Sequence, residues 1–219
     1  MKNKFRNKAA SSVNIIEGAD GPTSVFIVEN SSSKQTLRQK IHKFLYDMRK
    51  KRIIGSLKAN PHSMEQVADY IITELGFSET DKSTPEYNSE YSQLRASFIM
   101  QYKPELLGDL ADIPQPENYE EESIKLVLAQ IEQIQKAAEN IPPDIFDIDL
   151  HIYEKNDRNL QAKIIVEMNY GYIGGSAIGS LKRFGRIFRK VYKYYGVTQD
   201  DIGNNTKRYT ELIKTLSRR

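Results

Sequence analysis

Phe146-Asp147-Ile148-Asp149-Leu150-His151-Ile152-Tyr153 is the stretch that decides the fold class. Phe146, Ile148, Leu150 and Ile152 alternate with Asp147, Asp149, His151 and Tyr153. A period of two sends neighbouring side chains to opposite faces of an extended chain, so the pattern predicts a half-buried strand. Asn156-Asp157-Arg158-Asn159 carries turn chemistry. Leu160, Ala162, Ile164, Val166 and Met168 then alternate with Gln161, Lys163, Glu167 and Asn169 as a returning strand. Together they predict an antiparallel hairpin.

Upstream of the hairpin the period changes to that of helices. Pro142-Pro143 marks the change. Glu120, Glu121 and Glu122 open a long helix to about Asn140, where acids favour the positive end of the helix dipole. Ile124, Val127, Leu128, Ile131 and Ile134 are its expected buried face. Thr84-Pro85 opens an earlier helix striped by Tyr87, Tyr91, Leu94 and Phe98. Ser63 and Gln66 make a capping box for another, with Val67, Tyr70, Ile71 and Leu75 inward and Gly76 at its end. Thr36 caps a helix to about Arg52, on which Leu37, Ile41, Phe44, Leu45 and Met48 share one face. Downstream, residues 171–180 read as a glycine-rich loop before a basic-aromatic helix over 182–195. Gly174 and Gly179 have the spacing of a phosphate-binding loop, but Ser180 stands where that motif needs Lys. Tyr209, Leu212, Ile213 and Leu216 mark a terminal helix.

The 219 residues allow one or two domains. Ile, Leu, Val and Phe number 24, 15, 8 and 8, enough for a core rather than a disordered chain. The absence of Cys excludes disulfides, thiolate metal sites and a thiol nucleophile. His42, His62 and His151 are far apart in sequence and have no metal-ligand spacing. The longest charge-free run, 168–181, is 14 residues, too short for a spanning helix of about 20. No apolar run follows the basic residues Lys2, Lys4, Arg6 and Lys8 as a secretory signal requires. A soluble cytoplasmic protein is the expectation.

Near the N-terminus, Val13-Asn14-Ile15-Ile16 and Ser24-Val25-Phe26-Ile27-Val28 flank Glu17-Gly18-Ala19-Asp20-Gly21-Pro22-Thr23 and predict a hairpin with a long loop. Gly18-Ala19-Asp20-Gly21-Pro22-Thr23 resembles a segment of the β subunit of sodium-translocating decarboxylases. The resemblance covers about a dozen residues of the 219. It implies that Asp20, matching the aspartate that handles sodium and protons in that family, takes part in binding an ion, with Thr23 beside it. From the residues alone, a carboxylate, a hydroxyl and backbone carbonyls are oxygen donors for a hard cation. The same residues also make a tight turn in which Asp20 bonds local backbone.

A formal net charge of +3 conceals strong patterning. Residues 34–58 carry nine Lys/Arg against Asp47 alone. Lys182, Arg183, Arg186, Arg189, Lys190 and Lys193 interleave with Phe184, Ile187, Phe188 and Val191, with no acid among them. Acid collects over 105–122, which has no basic residue. Basic helices of this kind pair with phosphates, lie on anionic membranes or dock on acidic proteins. Candidate anion-binding residues are Lys182, Arg183, Arg186, Arg189, Lys190 and Lys193, with Arg38, Lys43, Arg49 and Lys50 of the first helix. A second candidate is the shared face of Asp147, Asp149, His151 and Tyr153, with Glu167 from the paired strand, as an acid–base or metal site.

These readings predict an α+β chain with a basic tail and hairpin arm over 1–34, a helical region over 35–141 and a hairpin-plus-helices region over 144–219. The expected role is a non-enzymatic binding or accessory protein that engages nucleic acid or another anionic partner. No cofactor or metal is assigned, and a homo-oligomer is compatible with the chain. The alternatives are a structural or assembly component and an ion-binding protein using Asp20.

Overall fold

In a computed structural model, which describes residues 36–112 and 121–218, the predicted hairpin is the centre of a four-stranded antiparallel sheet. Strands β2 (Leu150–Asp157) and β3 (Leu160–Glu167) pair with Ile152 opposite Ile165. Two further strands extend the hairpin. β1 (Ser78–Glu79) pairs with β2, and β4 (Tyr172–Gly179) pairs with β3, giving the order β1-β2-β3-β4. The class is α+β, as expected. The N-terminal hairpin expected over 13–28 lies outside the described residues.

The residues expected to form a glycine loop are strand β4, which corrects that reading. The glycines are there for packing. A Cβ on Gly175 would lie 2.9 Å from the Lys163 carbonyl oxygen and 2.9 Å from the Phe184 ring. Only hydrogen at that position lets helix α5 (Leu181–Tyr195) press its aromatic rings onto the strand.

The sheet is covered on both faces, as its period of two requires. Leu160, Ala162, Ile164 and Val166 point to one side, into a core with Val67 and Ile71 of α2 (Met64–Thr73), Phe184, Phe188 and Val191 of α5, and Leu212 and Ile213 of the terminal helix. Leu150, Ile152 and Ile165 point to the other, against Phe98 and Ile99 of α3 (Pro85–Tyr102), Leu107 of a 3-10 helix (Pro104–Ala111), and Ile134 and Ala138 of α4 (Glu121–Glu139). Among the described side chains of α4, those of 125–139, the buried positions are Ile134 and Ala138, whereas Leu128 of the expected face is half exposed. Residues on either side of Pro142-Pro143 therefore line one apolar cluster: Ala138 before it, and Phe146, Ile148 and Leu150 after it.

β2 begins four residues later than the alternation suggests. Phe146 and Ile148 are buried, yet the backbone there is not paired as a strand. The N–H of Asp149 donates instead to the Glu167 carboxylate, at 3.0 Å. Glu167 is fully buried and also accepts the N–H groups of Asn169 (3.1 Å) and Tyr170 (2.7 Å), which fixes the β3–β4 turn.

Helix α1 (Leu37–Ser56) has the predicted Thr36 cap, with Gln39 completing a capping box. It packs on the terminal helix, named α7 (Lys207–Ser217) after the short α6 (Gln199–Asn204). The loop that follows α1 is bolted to the end of α5. The N–H of Asn60 donates to the Val197 carbonyl at 3.0 Å, and that of His62 to the Tyr195 carbonyl at 3.1 Å. Arg208 of α7 completes the joint. Its guanidinium lies over the Tyr195 ring and donates to the carbonyls of Gly196, His62 and Tyr195.

Candidate functional site

Helix α5 has a clean division of faces. Phe184, Phe188, Val191, Tyr192 and Tyr195 are buried. At about 100° of rotation per residue, these five positions cluster on one side of the helix. Lys182, Arg183, Arg186, Arg189, Lys190 and Lys193 fall within an arc of roughly 120° on the opposite side. Arg183 is paired with Asp157 at 2.5 Å, and Arg189 donates to the Arg218 carbonyl at 3.1 Å. Lys182, Arg186, Lys190 and Lys193 are exposed and make no ion pair among the described residues. The helix contains no carboxylate, so the result is a continuous cationic strip.

Helix α1 brings the second basic block. Arg38, Lys43 and Lys50 are exposed and Arg49 is half buried. Among the described residues nothing covers the apolar stripe on α1. No residue of the helix is buried, and Leu37, Ile41, Phe44, Leu45 and Met48 are 75%, 50%, 62%, 42% and 55% exposed. Contact with the core is made by Ile53 and by Leu57, just beyond the helix. On the helical wheel Ile53 and Leu57 lie roughly 150° from the centre of the exposed stripe. The helix is therefore docked by one side and presents its larger apolar face outward.

The Asp147, Asp149, His151 and Tyr153 face is occupied by internal partners. Tyr91 donates its hydroxyl to Asp147, and burial together with that bond pushes the Tyr91 hydroxyl up to about 12. The His151 ring lies between Glu79 (2.6 Å) and Asp149 (3.2 Å), and Lys82 approaches Asp149 at 3.5 Å. Tyr153 is buried, and burial raises its hydroxyl strongly. Glu167 does not join this face: it pairs opposite Leu150, on the other side of the sheet, and its oxygens are taken by three backbone donors. Burial raises its carboxyl above the ordinary range, against those three donors. Among the described residues no group of three or more His, Asp or Glu side chains is placed to hold a metal ion. Asp20 and Thr23 lie outside the described residues.

Two organising residues were missed by the sequence reading. Arg95 is 5% exposed and donates to the carbonyls of Ala138 (2.6 Å), Ile141 (2.6 Å) and Phe146 (2.7 Å). The available signal was its position, four residues after Tyr91 and three before Phe98, on the apolar stripe itself. Arg208 fixes α7, the α1–α2 loop and the end of α5 to one another, and no spacing in the sequence announces it.

No helix among the described residues is long and apolar enough to cross a membrane. Comparison with protein-family models, with curated proteins and with solved structures finds no match to this chain.

Proposed function

We propose that this protein is a non-enzymatic accessory protein that engages an anionic partner through its basic helices, with α5 as the polyanion-binding face. The observation that carries this reading is the acid-free cationic strip opposite the buried stripe of α5. Lys182, Arg186, Lys190 and Lys193 recur every three or four residues, a spacing of about 5–6 Å along the helix. Such a row can neutralise successive phosphates of a nucleic-acid strand. The occupied state of the Asp147, Asp149 and His151 carboxylate face supports a binding role over acid–base chemistry.

The test is fluorescence-anisotropy titration of a labelled single-stranded oligonucleotide over a series of salt concentrations. Wild-type protein is expected to bind with a steep salt dependence. Arg186→Glu with Lys190→Glu, both exposed and remote from the core, should weaken binding at least tenfold at low salt. Equal affinity in the double variant, or binding insensitive to salt, overturns the proposal.

A further inference from the structure

We infer that the outward face of α1 is a membrane-surface element that docks on anionic lipid. This goes beyond the polyanion reading of α5 and rests on a separate helix and a separate observation. Leu37, Ile41, Phe44, Leu45 and Met48 form an apolar stripe roughly 100° wide and about 17 Å long, all of it at least 42% exposed. The stripe is no frayed edge of the core. The opposite side of the helix, through Ile53 and Leu57, is the side that packs, and the following loop is pinned by Asn60, His62 and Arg208.

The rims of the stripe specify the partner. On the helical wheel Arg38 and Arg49 border one edge, and Lys40 and Lys51 the other, while Arg52 stands one turn beyond Met48 at the C-terminal end of the stripe. Lys43 and Lys50 lie further round, and Asp47 is the one acid on the helix. Apolar side chains flanked on both edges by long cationic ones match the interface of an anionic bilayer. There the rings and aliphatic groups enter the acyl boundary while Lys and Arg extend to the headgroups. A second copy of this chain is disfavoured, because antiparallel or parallel pairing brings cation against cation. A helical protein partner also fits less well. Positions 37, 41, 44 and 48 make a seam of under two heptads, shorter than the three or four that sustain a coiled coil, and Leu45 widens the stripe beyond such a seam. A convex ridge of this width is covered fully by a deformable phase.

The chain contains no Trp, so Phe44→Trp in the full chain installs a single reporter near the middle of the stripe's length, beside its Lys40 and Lys51 edge. Its emission is read without additions, with phosphatidylcholine vesicles, with vesicles containing phosphatidylserine, and with a single-stranded oligonucleotide. The expected result is water-exposed emission alone, unchanged by phosphatidylcholine vesicles or the oligonucleotide. Phosphatidylserine vesicles should give a saturable blue shift that high salt reverses. Adding Lys40→Glu and Lys51→Glu should weaken that partitioning at least tenfold, given the attraction each cation contributes at such a surface. The inference is overturned by no shift on phosphatidylserine vesicles, by an equal shift on neutral vesicles, or by a shift with the oligonucleotide in place of the vesicles. It is overturned equally by blue emission without vesicles, which means that residues 1–35 or a second copy already cover the stripe. Failure of the α5 double variant to lose oligonucleotide affinity leaves this readout unmoved, so the two ideas fail separately.

Discussion

Replacing Arg95 by Met is the sharpest test of how this fold is held together. The Met side chain keeps most of the aliphatic volume and removes the guanidinium. Three buried or half-buried carbonyls, those of Ala138, Ile141 and Phe146, then lose a charged donor. Two of them lie at the C-terminal end of α4, where the helix dipole favours a cation; the Ala138 carbonyl also accepts the Ile141 N–H at 3.1 Å and keeps that donor, whereas those of Ile141 and Phe146 rely on Arg95. A hydrogen bond to a charged group is worth about 1.5–3 kcal/mol, and an orphaned buried acceptor costs a similar amount. Part of the loss is returned, because the guanidinium no longer has to be desolvated. Taking the low end for the two orphaned carbonyls, those of Ile141 and Phe146, gives a destabilisation of about 3 kcal/mol. That is a large fraction of the 5–15 kcal/mol typical of a folded protein. Urea unfolding followed by circular dichroism measures it, as a fall in midpoint at unchanged slope. Arg95→Lys should recover less than half of the loss, since one ammonium cannot span three carbonyls set around a planar fork. A loss below about 1 kcal/mol for Arg95→Met would refute the argument, because the carbonyls would then be finding other donors at little cost.

Two further outcomes follow from the same geometry. Gly196 has φ +58°, and a Cβ there would sit 1.9 Å from the Asn60 carbonyl oxygen. Gly196→Ala should therefore separate the α1–α2 loop from the end of α5 and cost about 3 kcal/mol or more, seen as a Tm lower by roughly 6–12 °C; an unchanged Tm contradicts it. Two carboxylates, buried Glu167 and half-buried Asp201, should tilt the pH dependence of stability in opposite directions. Burial raises Glu167, so its contribution is present below the ordinary glutamate value of about 4.3 and is lost as pH rises through the raised folded value. Burial also pushes Asp201 upward, but hydrogen bonds from Thr206 and Thr198 and the Arg208 charge outweigh it and hold the carboxyl below its ordinary range. Its stabilisation is present above about 3.9 and is lost as pH falls through the lowered folded value. Unfolding free energies across that range should show a shallower acid-side loss for Asp201→Asn than for wild type. An identical acid limb rules out the assignment.

Much of the fold was legible because its elements are locally consistent. The Ser63–Gln66 capping box, Pro85 at the first helical turn and the period-two runs around Ile152 and Ile164 each appear where the pattern put them. One element was misread, and the burial of another was not legible, each for a physical reason. The segment from Tyr172 to Gly179 looked like a loop, since glycine has poor strand propensity. It is a strand because its backbone pairs with β3, and because the missing side chains make room for Phe184 and Phe188. Leu37, Ile41, Phe44, Leu45 and Met48 were legible as one face of a helix, but periodicity cannot say whether anything lies opposite that face.

The candidate site divides along the same line. The sequence alone settles that α5 is an amphipathic helix with six cations and no acid, because helical geometry converts spacing directly into faces. It also settles the sheet hairpin at the centre of the molecule. Tertiary structure alone decides which face of α1 is spent on packing and which is left outward. That choice depends on where Ile53 and Leu57 meet the core, on the packing of α1 against α7, and on the backbone bonds of Asn60 and His62 to the end of α5. It likewise decides that Asp147, Asp149 and His151 are engaged with Tyr91, Glu79 and Lys82. These are contacts between residues tens of positions apart, and the energy that selects them lies in burial and hydrogen bonding across elements, which local pattern does not encode.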